Sequence, residues 1–392
     1  MKIVFITYWG VSDPLSVATV YPHLEILKGM DEIEEIHLLS FERNGYVKKE
    51  FSGKVKHYPI VEKRFSPGFN KFLAFFSAWK TLKSIHKKRI IDFSICRSSF
   101  AGILGYHLFK KYNVSFMVES LEPHTDYMIT SGEWKKRGLK TRILRNYENK
   151  IFANAQFLLP VSENYRETLI ESGVDEDRII VLPCTIDVNQ FKFNQDARRR
   201  LRSELNIDHG DKVGIYVGKF GGIYYQDIAF KLFENLNNNI DNLTMIVLTP
   251  EDPIYVTNNL ERCGFVSSKI YVLKADPKEV PSFLSASDFG IAIYKESAFS
   301  NCLSPIKVGE YMVNGLPVVI TKNIGEDSDV IEQNNIGVTF SFKENEIQLN
   351  LKNFNSLIGS NTTREKIQRI GLDRRGRDIS HNVYSKIFGG DI

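Results

Sequence analysis

Short apolar runs alternate along the chain with longer stretches in which apolar residues recur every three or four positions. The runs at 2–7, 35–41, 55–60, 92–97, 114–119, 156–161 and 179–183 read as strands. A polar, basic stretch at 194–212 follows, and then the pattern restarts, with runs at 213–218, 243–249, 269–273, 289–294, 317–321 and 336–340. Several of these are continuously apolar rather than alternating, as expected of parallel strands covered on both faces. Strand-helix alternation interrupted once near the middle predicts an α/β chain of two doubly wound, parallel-sheet domains. The boundaries expected are 1–190 and 191–370, with a last helix, about 371–392, that can pack back on the first domain. Ligands of such sheets sit beyond the carboxyl ends of the strands, so two facing domains would form a central cleft. No repeat of fixed period interrupts this reading.

Composition narrows the class. The 392 residues are 43% hydrophobic, enough for two full cores. No run reaches the ~18 apolar residues of a membrane span. The opening "MKIVFITYWG" reads as a β-strand rather than a signal peptide. Cys96, Cys184, Cys263 and Cys302 lie far apart with no C-x-x-C spacing. That argues against a metal site or a disulfide framework and fits a reducing, cytoplasmic setting. The net charge of +4 is uneven: residues 1–190 carry +5 and the remainder −1. The excess gathers at 69–90, with six basic residues and no acid, and at 135–145. Each cluster fits a solvated helix face or, with Phe72, Phe76 and Trp79 beside the lysines, an anionic membrane surface approached from the cytoplasm. Nucleic acid is not indicated, since the charge is modest and no recognition motif is present.

Two segments carry candidate chemistry. In "KVGIYVGKFGGIYYQD" the glycines Gly218, Gly221 and Gly222 follow a strand, where backbone N–H groups can approach a phosphate and Lys219 adds charge. The same residues would also make an ordinary strand-to-helix turn. In "SPIKVGEYMVNGLPVVIT" Ser304 is placed to cap a helix, Pro305 suits its first position, and Gly315 and Pro317 end it. Apolar residues surround that helix except for the stripe Lys307, Glu310 and Asn314. A helix N-terminus attracts anions, and Lys307 one turn in would strengthen the pull. Glu310 lies ~4.5 Å further along the axis, where a carboxylate can accept two hydrogen bonds from a vicinal diol. Diphosphate at the helix mouth and ribose at Glu310 match a nucleoside diphosphate. The competing reading is a Lys307–Glu310 ion pair worth a few tenths of a kcal/mol.

The run "SASDFGIAIYKESAFSNCLSPIKVGEYMVNGLPVVITKNIGEDSDVIEQNNIGVTF" resembles the donor-binding region of glycosyltransferase family 4, and "FLLPVSENYRETLIESGVDEDRIIVLPCTIDVNQF" resembles the family's interdomain segment. The resemblance implies the GT-B fold, two Rossmann-like domains facing a central cleft. It implies transfer of a hexose-type sugar from a nucleotide-sugar to a saccharide or lipid-linked acceptor, usually with retention and without an essential metal or other cofactor. Polysaccharide or glycoconjugate biosynthesis is the setting suggested.

Residue by residue, Glu310 matches the family's ribose-binding glutamate and Lys219 its phosphate-binding basic residue. Ser304, Ile306 and Lys307 fall at the donor helix. The family's first glutamate falls on Cys302 and its second basic position on Tyr225, a charge that Lys307 can replace. Gly10 occupies the N-domain glycine loop, without the usual paired glycines. The acceptor-side histidine of the family aligns with Glu119, and His124 follows five residues later in "EPHTDYM". Either group could orient an acceptor hydroxyl or take its proton; His124 could equally be a loop histidine bonded to backbone. Two other functions stay open, a nucleotide-sugar 2-epimerase of the same fold and a nucleotide-binding protein without turnover.

Overall fold

The computed structural model describes residues 1–43, 46, 49–61, 67–344 and 346–389, with residue 14 and residues 67–71 described by backbone alone. The chain divides into two compact units, Met1–Pro183 with Arg377–Ile392, and Cys184–Gly376.

The first unit is built on six strands: β1 (Lys2–Thr7), β2 (Glu35–Glu42), β3 (Val55–Val61), β4 (Phe93–Arg97), β5 (Ser115–Leu121) and β6 (Phe157–Pro160). They lie in the order β3-β2-β1-β4-β5-β6, and every pairing is parallel. The buried strand residues Ile3, Phe5, Ile36, Leu38, Ile95 and Met117 pack with helix residues on one face of this sheet. Val383, Tyr384 and Phe388 of the last helix, Arg377–Phe388, join the same core.

The second unit repeats the plan with β7 (Lys212–Val217), β8 (Leu243–Leu248), β9 (Ile270–Leu273), β10 (Phe289–Ala292), β11 (Val318–Thr321), β12 (Gly337–Lys343) and β13 (Glu346–Leu349). Their order is β13-β12-β11-β10-β7-β8-β9, parallel except for the antiparallel β12–β13 edge. In each unit the strand order reverses beside the first strand, between β1 and β4 and between β7 and β10. Those switch points open a crevice at the carboxyl ends of the strands. This is the two-domain α/β architecture of the GT-B fold.

Local chemistry explains most boundaries. Asp13, Ser162, Asn194 and Asp252 each accept a hydrogen bond from a first-turn N–H of the helix they precede. Gly315, with φ of +81°, ends the helix Ile306–Asn314 in the left-handed conformation that its sequence position anticipates.

The structure departs from the sequence reading in three places. Residues 179–183 are not a strand: Ile180 and Leu182 donate to the carbonyls of Leu158 and Pro160, and only a single bridge forms. The edge strand Glu346–Leu349 went unread because it is four residues long and only Ile347 and Leu349 are apolar. The units divide at 183/184 rather than 190/191. Residues 184–191 bond within the second unit, Ile186 N–H to Arg375 O at 2.7 Å and Asn314 Nδ2 to Phe191 O at 2.9 Å.

Candidate functional site

At the switch point of the second unit, the loop after β7 meets the helix Ile306–Asn314. Lys307 is 9% exposed, and its ammonium faces three tyrosine rings, 5.0 Å from the centroid of Tyr216, 4.3 Å from Tyr224 and 5.4 Å from Tyr294. Among the described residues its Nζ makes no hydrogen bond, to Glu310 or to any other group. Burial drives the Lys307 pKa down to about 7, only partly opposed by the Glu310 charge. Glu310 is half-buried, and burial pushes its carboxyl up to about 7 against the pull of Lys307. The i,i+3 ion pair therefore does not form. The site instead holds a cation and a carboxylate that share one small region and lack partners adequate to their desolvation.

The N-terminal turn of this helix is open. Ser304 does not cap it. Pro305 is the N-cap residue, and no side-chain cap hydrogen bond forms there among the described residues. The Ser304 hydroxyl is drawn away: it accepts from Arg375 and, at 3.2 Å, from Cys184 N–H. Arg375 is in turn held by Asp327 at 2.5 Å. Ile306 is half-buried at the helix mouth. Asn314 is structural, donating to Phe191 O at 2.9 Å and accepting from Arg364 at 3.1 Å.

The glycine loop supplies the facing wall. Gly218 has φ of +144°, and a Cβ there would stand 2.6 Å from Lys307 Nζ. Gly221 and Gly222 follow with φ of +80° and +66°, turning successive backbone groups in a way that L side chains rarely allow. Lys219 is exposed, and its Nζ lies 3.9 Å from where a Gly222 Cβ would be. Tyr225 is half-buried and accepts a bond from Glu296 N–H at 3.5 Å, so it takes no charge to this loop. Cys302 is buried in a single 3-10 turn, Ser300–Cys302, where no carboxylate is provided. The tyrosines around Lys307 were not singled out from the sequence, although Tyr216 and Tyr294 stand at or just beyond strand ends beside the glycine loop.

In the first unit the predicted residues separate. Gly10 backs onto Glu42: a Cβ would come 2.5 Å from its Oε2, and the carboxylate accepts from Val11 N–H at 3.0 Å. Glu119 is fully buried. Arg97 donates to one of its oxygens at 2.7 Å, Tyr384 donates to the other, and His23 Nδ1 lies 3.5 Å away. Burial alone would raise the Glu119 pKa, but His23, Arg97 and Tyr384 together outweigh it and hold the carboxyl at about 2. With both oxygens engaged, Glu119 anchors the last helix to β5 rather than reaching an acceptor. His124 is half-buried at the start of the helix His124–Thr130, with its ring 4.9 Å from Phe100 and 6.3 Å from Trp134 by centroids. Close to it in the chain, burial raises Glu122 to about 7 against the charge of Arg97. Among the described residues no group of three or more His, Cys, Asp or Glu side chains is placed to hold a metal ion.

The basic helix Pro67–Arg89 buries Ala74, Ala78, Leu82 and Ile85. Of the aromatic residues that the sequence sets beside the lysines, Phe72 and Phe76 are left 68% and 50% exposed. The side chains of Phe69 and Lys71 lie outside the described residues. No helix among the described residues is long and apolar enough to cross a membrane.

Comparison with known proteins agrees with this layout. Residues 26–190 match the family model Glycosyltransferase Family 4, and residues 238–357 match Glucosyltransferase 3-like, C-terminal domain. A Bacillus subtilis (strain 168) protein, TuaH, assigned by its name to teichuronic acid biosynthesis as a glycosyltransferase, is 31% identical over 186 residues. That match covers 46% of this chain and 44% of the relative, so less than half of the relative's length is spanned. Anabaena Alr3699/HepE in complex with UDP-glucose superposes with a TM-score of 0.68 at 16% identity over 99% of both chains. A UDP-N-acetylglucosamine 2-epimerase superposes with a TM-score of 0.63 at 11% identity, over 99% of this chain and 95% of the other. At these identities the structural likenesses speak to fold alone.

Proposed function

From a glycosyltransferase family 4 domain followed by a glucosyltransferase 3-like C-terminal domain, we infer that the protein moves a hexose-type sugar from a nucleotide-sugar to a saccharide or lipid-linked acceptor in glycan biosynthesis. The observation that carries this reading is Lys307, a buried ammonium that finds no hydrogen-bonding partner among the described residues, set beside a helix N-terminus without a side-chain cap and a glycine loop. An anion bound there would supply the missing partner. A diphosphate fits, because Lys219, Lys307 and the N–H groups at the helix mouth can surround its oxygens. Glu310, one turn deeper, would accept from the ribose hydroxyls. HepE has been seen with UDP and with UDP-glucose, which supports a uridine nucleotide-sugar as donor.

In the transfer we propose, the bond between the sugar's anomeric carbon and the diphosphate oxygen breaks as the acceptor oxygen bonds to the same carbon from the same face. The leaving diphosphate takes the acceptor proton, and configuration is retained. Lys219, Lys307 and the helix end stabilise the departing charge without calling on a metal. His124 would orient the acceptor hydroxyl, whereas Glu119 would act only by holding β5 and the last helix in place.

The test is a calorimetric titration of the purified chain with nucleoside diphosphates and nucleotide-sugars, followed by product analysis. Micromolar binding of one nucleotide with slow release of free sugar from its nucleotide-sugar supports the transferase. Interconversion of two nucleotide-sugars would instead establish an epimerase. Binding with no turnover across an acceptor panel would leave a nucleotide-binding protein.

A further inference from the structure

The first unit contains an apolar groove of about 1030 Å³ that the donor chemistry does not use. Its walls include Phe75, Trp79, Phe100, Leu104, Trp134 and Tyr147, from the helices Pro67–Arg89, Ser98–Tyr112 and Leu139–Asn154 and the segment before the last. The volume stands at the upper end of the ~300–1,000 Å³ typical of small-molecule pockets. A second feature coincides with it. At and around the mouth, Phe72, Phe76, Leu139 and Ile143 are 68%, 50%, 74% and 49% exposed, an apolar patch that a water-facing surface would not keep.

Among the described residues, the lysines that line the groove, and no acid, supply its charge. Lys110, Lys111 and Lys140 line its edge and are exposed. Lys80 lies 4.6 Å over the Phe76 ring and Lys83 5.8 Å over Trp79. The helices Pro67–Arg89 and Ser98–Tyr112 hold eight lysines and arginines and no acid. In the helix Leu139–Asn154 the acidic Glu148 is buried and turned to Thr125, which donates to it at 2.7 Å. A partner must therefore bring anions for the rim and apolar chains for the groove. Exposed aromatics beside lysines are the composition that settles at a lipid interface.

We propose that this face docks on an anionic phospholipid bilayer, with a lipid acyl chain entering the groove between Phe75, Trp79 and Phe100 and lipid phosphates meeting Lys110, Lys111 and Lys140. The proposal stands apart from the transferase reading, because nucleotide binding to the second unit reports that reading separately.

Co-sedimentation with vesicles tests it. Vesicles of phosphatidylcholine containing phosphatidylglycerol should retain the full chain about a hundredfold more tightly at low salt than phosphatidylcholine alone, and salt should erode the difference. The variant Phe72→Ser/Phe76→Ser, changed at exposed positions, should lose most of this binding with its melting temperature and its nucleotide affinity unchanged. Phospholipids brominated along their chains should quench the tryptophan fluorescence, and Trp79→Phe/Trp134→Phe should remove most of that quenching. Equal retention on neutral and anionic vesicles would overturn the proposal. So would anionic binding without chain quenching, which would reduce the face to electrostatic adsorption.

Discussion

Lys307 reaches into the space that a side chain on Gly218 would fill, its Nζ 2.6 Å from the position of a Cβ there. One residue type is therefore required at 218 for two reasons, backbone and space: φ is +144°, and the room belongs to the ammonium. Gly218→Ala should cost about 1–3 kcal/mol through the strained backbone alone. It should also displace Lys307 and weaken nucleotide binding. Thermal melting and a nucleotide titration of the same variant read the two effects; unchanged values in both would remove Gly218 from the site.

The buried pair makes the stability of the free protein depend on pH in a signed way. Lys307 is held at about 7, below its ordinary 10.5, so between those values the unfolded chain binds more protons and stability from this group rises with pH. Glu310 is held at about 7, above its ordinary 4.5, so between those values the folded chain binds more protons and stability from this group falls as pH rises. Together they contribute least near pH 7. The variant Lys307→Met/Glu310→Gln should melt higher than the natural sequence near neutrality, and the gap should narrow toward pH 4.5 and toward pH 10.5. A gap independent of pH would contradict the assignment.

Nucleotide affinity should separate the roles of the site's charges. Glu310→Gln loses a charge-assisted bond to a ribose hydroxyl and should weaken binding by about 1.5–3 kcal/mol while leaving the fold intact. Lys219→Ala, at an exposed position, should lower turnover with little change in melting. Combined with Lys307→Ala it should be worse than either single change, measured as release of nucleoside diphosphate. If Lys307→Ala alone leaves turnover intact, the buried ammonium has no part in the reaction.

Glu119 should behave as an anchor. Glu119→Gln leaves Arg97 buried without its counter-charge, and breaking a buried pair in this way costs about 3–5 kcal/mol. Because the carboxyl is held at about 2, below its ordinary 4.5, its contribution is present above pH 4.5 and is lost as pH falls toward 2. The loss should be accompanied by limited proteolysis near Arg377, where the last helix begins. A variant that melts normally yet cannot transfer sugar would return Glu119 to the chemistry.

His124→Ala should leave melting nearly unchanged, since its ring is half-buried and meets Phe100 and Trp134 edge-on. If it orients the acceptor, acceptor KM and kcat should suffer while nucleotide affinity stays the same. Kinetics at varied acceptor concentration distinguish this from a loop histidine, for which neither value would move.

The sequence by itself determined what local periodicity and punctuation encode. Continuous apolar runs, their restart after residue 212, the glycines after β7 and the stop at Gly315 each follow from neighbours a few positions apart. That was enough to place Lys219, Lys307 and Glu310 on one loop and one helix. Tertiary structure decided which partners those groups meet. Ser304 has the composition of a cap, but Arg375, 71 positions away, takes its hydroxyl. Glu119 aligns with an acceptor-side residue, but Tyr384, 265 positions away, closes over it. The helix Pro67–Arg89 has more than one apolar stripe, and only its packing chose Ala74, Ala78, Leu82 and Ile85 for burial. The aromatic walls around Lys307 come from β7, the glycine loop and the turn after β10, which no spacing along the chain brings together. Charge, burial and hydrogen bonding act through space, so a side chain's chemistry is settled by residues that the linear pattern leaves far apart.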